Sequence, residues 1–249
     1  MKKLMFVLLL LVPTVSPRES SKPLATAKKQ TTLETRPSST TALEDQLDRW
    51  AQAVGGREKM ASIKSIYREA TLKYGEYEGT LKIWHTADGK YRKEEQVATY
   101  SLIETFDGTD GWVKQGDAAP HQMNTAELRL ATSRRFANSN AMFFAFFPER
   151  RHGTIALEGD NIVILKPEGG VDWRVELDRK TWLPGSMVHK EAAQTITVTF
   201  DSYEAVDGIK FEKQIHRSAG DPTRGAVITF TKTLINPPFD ASLFSLGPR

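Results

Sequence analysis

Most of the chain after Ile63 alternates apolar and polar residues with a period of two, which is the pattern of β-strands that bury one face. The segments that show it most clearly are residues 66–74, 80–85, 171–178, 195–203 and 209–216. Turn-forming pairs such as Asp-Gly and Pro-Gly separate the segments at hairpin-like intervals. One apolar face per strand is typical of an antiparallel sheet with one solvated side. The pattern predicts about ten or eleven strands in one large curved meander or open barrel.

The segment before these strands has helical periodicity instead. Apolar residues recur at helical spacing from Leu43 to Val54. Thr41 and Glu44 form a candidate capping box at the start of this helix, and the pair Gly55-Gly56 is suited to ending it. The sequence therefore predicts an N-terminal helix that precedes the sheet.

A second helical pattern interrupts the strands at residues 124–147, with a break near residues 138–140. A helical insertion in the middle of a sheet has to lie on the sheet or across its open mouth. The predicted fold class is therefore mainly β with a helical lid (α+β): a large curved antiparallel sheet forming a half-open barrel, an N-terminal helix and a mid-chain helical insertion.

The insertion ends in "AMFFAFFPER", an unusual concentration of bulky apolar side chains. This run contains four of the chain's 12 phenylalanines. It is too short to span a membrane, because a transmembrane helix needs roughly 20 apolar residues. Two interpretations stay open: an ordinary core helix, or one wall of a cavity that holds an apolar ligand.

The first 41 residues predict export and a tether. Residues 1–16 combine Lys2 and Lys3 with an apolar run, as in a secretory signal peptide, although the cleavage site is open and an uncleaved anchor is a second interpretation. Residues 17–41 are mostly Ser, Thr, Lys and Pro, which predicts a disordered tether. The folded domain is expected to cover residues 42–249.

Composition removes several classes of function. The chain has no cysteine, which excludes disulfides, thiolate catalysis, cysteine-based zinc sites and an N-terminal lipidated cysteine. The formal net charge is +3, but residues 1–27 supply a net +3, so the mature charge is near zero. Basic residues alternate with acidic ones instead of clustering on a face, and nucleic acid is therefore not an expected partner.

No catalytic motif is evident in the sequence. The five histidines include no pair at the helical spacing that binds zinc, and the chain has no HExxH, G-x-S-x-G, phosphate loop or G-x-G-x-x-G. Neighbouring acidic residues such as Glu94 and Glu95 are interpreted as solvated strand positions. The sequence thus predicts no enzyme, no metal and no cofactor, although folding could still assemble a dispersed catalytic site.

His85 is the one histidine with a distinctive position, because it shares a strand face with Leu81 and Ile83. One interpretation is a histidine whose ring nitrogens are satisfied by a neighbour or by solvent. The other is a polar group inside an apolar cavity that orients the head group of a ligand.

Four short stretches resemble one protein family: "AVGGREKM", "EGTLKIWHTADGKYRKE", "FDGTDGWV" and "INPPFDASLFSLGP", in that order along the chain. Together with the starting helix, the meander and the mid-chain insertion, they are similar to the periplasmic outer-membrane lipoprotein carriers and sorting proteins (LolA/LolB-like). The resemblance spans residues 43–248.

The resemblance implies a strongly curved half-open sheet, closed by a helical lid, whose apolar interior takes acyl chains without catalysis or cofactor. The soluble carrier of this family has an arginine inside the cavity that pairs with the lid, and His85 stands at that position here. The residues expected to line the cavity and lid are Leu81, Ile83, His85, Phe106, Trp112, Met142, Phe143, Phe146 and Phe147.

The function implied is that of a soluble, monomeric periplasmic carrier that binds acyl chains of lipoproteins or other lipids and moves them towards the outer membrane. Its implied partners are the lipid itself, an inner-membrane transporter and an outer-membrane acceptor. Two alternatives are a regulatory or sensor interaction module of the same fold and an enzyme with a dispersed site.

Overall fold

The computed structural model describes residues 39–135, 145–191, 194–221 and 224–247. Within them, thirteen strands form one sheet in which every neighbouring pair is antiparallel, two or three more strands than the alternation predicted. The strands are β1 Ser65–Tyr74, β2 Tyr77–Thr86, β3 Tyr91–Val97, β4 Tyr100–Phe106, β5 Gly111–Gln115, β6 His121–Gln122, β7 Gly153–Glu158, β8 Ile162–Pro167, β9 Trp173–Leu177, β10 Pro184–Glu191, β11 Gln194–Val206, β12 Ile209–Ala219 and β13 Gly225–Ile235.

The order of the strands is a meander with one long-range closure. The sheet order is β6-β5-β4-β3-β2-β1-β13-β12-β11-β10-β9-β8-β7, so the first and last strands pair at its centre. In this pairing Ile66 lies opposite Ile235 and Tyr74 lies opposite Ala226. The two edge strands, β6 and β7, are consecutive along the chain, and the mid-chain insertion joins them.

The sheet is strongly curved. Six strands separate β4 from β10, which would place these strands roughly 34 Å apart in a flat sheet at about 4.8 Å per strand. Yet the guanidinium group of Arg134 contacts Glu104 of β4 and Glu191 of β10 at the same time. The sheet therefore bends until its two halves face each other, without β6 pairing to β7 among the described strands. The predicted curved, half-open antiparallel sheet is confirmed to this extent.

Three α-helices accompany the sheet in the described ranges: α1 Ser39–Val54, α2 Arg57–Ala61 and α3 Thr125–Arg134, with 3₁₀ turns at Pro148–Arg150 and Ala241–Phe244. Gly55 and Gly56 end α1 with φ of 128° and 96°, as predicted. The predicted capping box at Thr41 is wrong, because α1 begins two residues earlier and places Thr41 inside its first turn.

Helix α1 packs its apolar stripe into the curved sheet. Leu47, Trp50, Ala51 and Val54 are buried and belong to one core cluster with side chains of β1, β2 and β8–β13. In the same cluster, Phe211 of β12 is fully buried. Burying a side chain of this size stabilises the fold by roughly 1.5–3 kcal/mol. The position of α1 is therefore the one in which its apolar stripe packs against the apolar faces of the strands.

Helix α3 begins with a complete capping box. The side-chain oxygen of Asn124 accepts hydrogen bonds from the backbone N–H groups of Ala126 and Glu127, at 2.9 and 3.1 Å. The Glu127 carboxylate in turn accepts one from the Asn124 N–H at 2.9 Å. These bonds satisfy donors that the first turn of a helix otherwise leaves unpaired.

We therefore expect Asn124→Ala to lower the free energy of unfolding by about 1 kcal/mol, measured by urea denaturation. Asn124→Asp keeps an acceptor at the N-cap and serves as the control, with an expected change of about a few tenths of a kcal/mol. Equal losses in the two variants would show that the cap does not contribute to stability.

Candidate functional site

The concave face of the sheet is the one that carries Arg68, Ile83, Lys93 and Glu104 side by side on β1 to β4. On the next row of the same face lie His85, Tyr91 and Phe106 in cross-strand register. Each of these last three side chains is buried.

Four of the residues that the sequence predicts for the cavity come together on this face. Leu81, Ile83 and His85 alternate along β2 and are all buried, and Phe106 lies two strands away, also buried. The shared face follows from strand alternation, since residues two apart point the same way. These side chains share a face but belong to two hydrophobic clusters: Leu81 and Ile83 pack with α1, and Phe106 packs with Tyr91 and with Ala131 of α3.

Trp112 is a correction to the predicted set. It lies opposite Thr105 and next to Val113 along β5, whereas Val113 shares the concave face with Glu104. Because successive residues of a strand point to opposite faces, Trp112 faces the convex side. There its ring lies against Gly247, where a Cβ would come within 2.5 Å of Cζ2.

Of the four residues predicted for the lid, two are described. Phe146 is only 2% exposed and packs edge-on against Trp50 at 5.1 Å between ring centroids. Phe147 is also buried, with the guanidinium of Arg150 4.7 Å from its ring centroid. Met142 and Phe143, together with the predicted helix break near residues 138–140, lie outside the described residues.

A second feature of the interior is a buried ion pair between β1 and β12. The Arg68 Nη1 of β1 lies 2.8 Å from Glu212 Oε1 of β12. The Arg68 side chain is 2% exposed and its guanidinium carbon lies 3.4 Å from the ring centroid of Phe230. Nε also donates to Thr233 Oγ1 at 3.2 Å. Sequence alternation places Arg68 on the apolar face without indicating a partner.

His85 is held neutral by its surroundings. Burial, with the nearby positive charge of Arg68, lowers its pKa from 6.5 to about 3. Its ring meets that of Tyr91 edge-on at 6.1 Å. At neutral pH it is therefore an uncharged polar group within an otherwise apolar row of β2.

This lowered pKa predicts that stability falls in mild acid. Below pH 6.5 the unfolded chain protonates His85 while the folded chain does not until about pH 3, so protons favour the unfolded state. We expect the His85 contribution to be fully present above pH 6.5 and to be lost by up to about 1.4 kcal/mol per pH unit below it. The free energy of unfolding, measured by urea denaturation at each pH, should fall less steeply with decreasing pH in His85→Gln than in the parent. An identical slope would contradict the assignment.

The sequence did not predict the charged group that spans the concave interior. We call Lys93, Glu104, Arg134 and Glu191 the bridging cluster. Arg134 of α3 contacts Glu104 at 2.5 Å through Nη1 and Glu191 at 3.0 Å through Nη2, and Lys93 Nζ contacts Glu104 at 2.7 Å. One helix side chain thus connects β4 with β10.

Electrostatics keep both carboxylates of this cluster ionised, although Glu104 is buried. Burial alone would raise the pKa of Glu104, but Arg134 and Lys93 outweigh it and lower the pKa to about 2. Burial would likewise raise the pKa of Glu191, but His189 and Arg134 outweigh it and hold that pKa well below its usual range. Both carboxylates are therefore anionic, and both depend on Arg134.

Three buried polar side chains adjoin the bridging cluster: Tyr91, which faces Arg134, His189, which faces Glu191, and Trp173, whose indole N–H has no hydrogen-bond partner among the described residues. His189 is 5% exposed and stacks on Trp173 with centroids 3.8 Å apart. Its Nε2 lies 3.6 Å from Glu191 Oε2. Buried polar groups are usually satisfied, so this grouping is a candidate binding surface.

A sequence signal for the bridging cluster exists on β3. Tyr91, Lys93, Glu95 and Val97 alternate onto the face that His85 occupies on β2. Lys93 and Glu95 are charged residues on a predicted interior face and so depart from the strand pattern. In the sequence, neighbouring acidic residues are interpreted as solvated, and no local signal marks Arg134 or Glu191.

Helix α3 is also fastened to the far half of the sheet. The Ser133 hydroxyl donates to the Val171 carbonyl at 3.1 Å and accepts from the Val171 N–H at 2.6 Å. Arg129 donates to the Gly170 carbonyl at 3.3 Å. With the contact of Arg134 to Glu104, α3 therefore spans from β4 to the loop between β8 and β9.

The described part of the chain has three further relevant properties. A shallow depression of about 210 Å³ lies beside β2 to β5 and is lined by charged residues including Lys82, Glu94 and Lys114. Its lining is unsuited to an apolar ligand. No helix in the described ranges is both long and apolar enough to cross a membrane, and no group of three or more His, Asp or Glu side chains there is placed to hold a metal ion.

Comparisons with known proteins find similarity in structure. A DUF1329 family protein from Desulfovibrio piger has a TM-score of 0.51 at 13% identity, covering 82% of this chain and 97% of that one. A LolA superfamily protein from Nitrosomonas europaea has a TM-score of 0.49 at 9% identity, covering 84% and 98%. An outer membrane lipoprotein-sorting protein domain from Vibrio parahaemolyticus has 0.47 at 10% identity, covering 81% and 97%.

Comparison by sequence gives no match: no family model and no curated protein matches the chain. At 13% identity the structural similarity concerns the fold alone, and the first match carries it, since the two lower TM-scores add no independent weight. The predicted resemblance is thus confirmed at the level of the fold alone, which this chain shares with the DUF1329 family protein over 82% of its length.

Proposed function

We propose that the chain is a non-enzymatic periplasmic carrier that binds acyl chains of lipoproteins or other lipids on the concave face and moves them towards the outer membrane. The observation that carries this proposal is the position of α3. It crosses between the two halves of the curved sheet, packs against Tyr91 and Phe106, and is connected to both halves by charged side chains.

The concave face has the chemistry that an acyl chain requires. Leu81, Ile83, Phe106 and Phe146 are buried there or against α1. Transfer of an acyl chain from water to such a surface contributes about 0.8 kcal/mol per methylene, without directional contacts. In the structure these side chains are covered, so ligand entry needs the covering segment to move.

Helix α3 is suited to such a movement because its contacts are largely polar. A ligand that supplies matching polar groups can replace ion pairs and hydrogen bonds, whereas an apolar core helix would expose apolar surface on leaving. Among its buried residues are Ala131 and Ser133, both small. We therefore assign α3 the role of the lid.

The direct test is native mass spectrometry of the mature protein purified from a periplasm, followed by organic extraction. We expect excess mass that extracts as acyl lipid. A protein that carries no lipid and also fails to bind a fluorescent acyl probe would contradict the proposal.

The absence of cysteine permits a test of the lid itself. A Cβ at Gly170 would lie 2.4 Å from Ser133 Oγ, so Ser133→Cys with Gly170→Cys places two thiols within disulfide reach. We expect the oxidised pair to block uptake of a fluorescent acyl probe and reduction to restore it. The single variant Ser133→Cys, treated with the same oxidant, is the control. Equal uptake by oxidised and reduced protein would show that α3 is not the lid.

A further inference from the structure

The bridging cluster contains a charge balance that depends on Arg134. Its positive groups are Lys93 and Arg134, with Arg217 4.0 Å from Glu191. Its negative groups are Glu104 and Glu191, and a third carboxylate, Glu95, lies beside the cluster at 3.5 Å from Lys93. His189 is neutral, because burial lowers its pKa despite the neighbouring Glu191. Three cations thus face three anions.

Displacement of α3 upsets this balance. Arg134 leaves with the helix, whereas every other member is on a strand, so two cations remain opposite three carboxylates. Glu104, which is nearly fully buried, would keep only Lys93, and Glu191 would lose its nearest cation. Removing one partner from a buried charge is strongly destabilising. A ligand that holds α3 away should therefore bind most tightly if it places one positive charge between Glu104 and Glu191.

We propose that the bridging cluster binds the primary ammonium group of an acyl lipid head group, which replaces the Arg134 guanidinium between Glu104 and Glu191. This inference rests on the proposed function and specifies the class of cargo. A primary ammonium carries three N–H donors, enough to hydrogen-bond both carboxylates. A quaternary amine has none, and an anionic head group would meet the repulsion of Glu104 and Glu191.

The polar groups beside the cluster extend the site towards the rest of the head group. The Trp173 indole N–H is a buried donor, the Tyr91 hydroxyl becomes available when Arg134 leaves, and His189 offers the ring nitrogen that does not face Glu191. Phosphate and ester oxygens adjoining the ammonium need such donors. The arrangement of two carboxylates beside neutral donors fits a zwitterionic aminophospholipid.

The test compares three lipids with the same oleoyl chain: lysophosphatidylethanolamine, its N-acetyl derivative and lysophosphatidylcholine. Binding to the full mature chain is measured by titration of tryptophan fluorescence and checked by native mass spectrometry. We expect the ethanolamine lipid to bind at least about tenfold more tightly than the other two, as for hydrogen bonds to charged groups. Glu191→Gln is expected to bring this ratio close to one.

Glu191→Gln is preferred to Glu104→Gln because Glu191 is less buried, and circular dichroism confirms that the variant folds. Glu158→Gln, on the exposed side of β7, is the matched control and should keep the parent ratio. Equal affinities for the three lipids would overturn this inference and leave the proposed carrier function standing. Absence of binding by all three would overturn both.

Discussion

Replacing Arg68 with methionine is expected to lower the free energy of unfolding by about 3–5 kcal/mol. The variant leaves the Glu212 carboxylate, with a side chain 7% exposed, inside the core without its partner. It also removes the donors to Thr233 Oγ1 and to the Glu212 carbonyl, and the cation over the Phe230 ring. Loss of a buried partner costs more than the pair itself contributes, because the remaining charge is desolvated and unpaired.

The control for this prediction is the double variant Arg68→Met with Glu212→Leu. It removes both charges and keeps apolar volume, so most of the lost stability should return. NMR titration supplies a second readout: the pKa of His85 should rise in Arg68→Met, since the Arg68 charge contributes to lowering it. A single variant with parental stability, or a double variant no better than the single one, would show that the pair is not the buried unit described here.

Phe146→Ala is expected to lower the free energy of unfolding by about 3–5 kcal/mol. The ring is 2% exposed, meets Trp50 edge-on and carries the guanidinium of Arg57 at 5.5 Å from its centroid. Truncation removes this apolar contact and leaves a cavity beneath α1 that the rigid sheet cannot close. Thermal and urea denaturation measure the loss.

The matched control is Phe239→Ala, at a half-buried ring that meets Phe244 at 6.0 Å in the C-terminal segment. Phe239→Ala should lower the free energy of unfolding clearly less than Phe146→Ala, because the Phe239 ring is less completely removed from water. Phe146→Leu retains most of the volume and should recover more than half of the loss. A Phe146→Ala protein as stable as the parent would mean that this part of the lid segment does not pack permanently on α1.

These two predictions separate the stable part of the molecule from the part proposed to move. Phe146 and the Arg68–Glu212 pair lie among buried side chains of α1 and the central strands. Helix α3 is instead held by the bridging cluster and by Ser133. Carrier function requires this division, because a lid has to leave without unfolding the sheet beneath it.

The sequence by itself determined the local elements and the faces of the strands. Period-two alternation depends only on neighbouring residues, so it places Leu81, Ile83 and His85 on one face without reference to any distant contact. Gly55 similarly marks a helix end through its own backbone freedom. The family resemblance places Trp112 in the cavity, but the strand register puts it on the opposite face from Val113.

Only the tertiary structure decided which distant residues meet. The pairing of β1 with β13 joins the first and last strands of the chain, and Arg68 and Glu212 are 144 residues apart. Arg134 reaches Glu104 and Glu191 across 30 and 57 residues, and only because the sheet curves. A charged residue in a sequence looks the same whether it is solvated or paired in an interior. The partner that makes its burial tolerable is supplied by long-range folding, which is why the candidate binding site is not evident from the sequence.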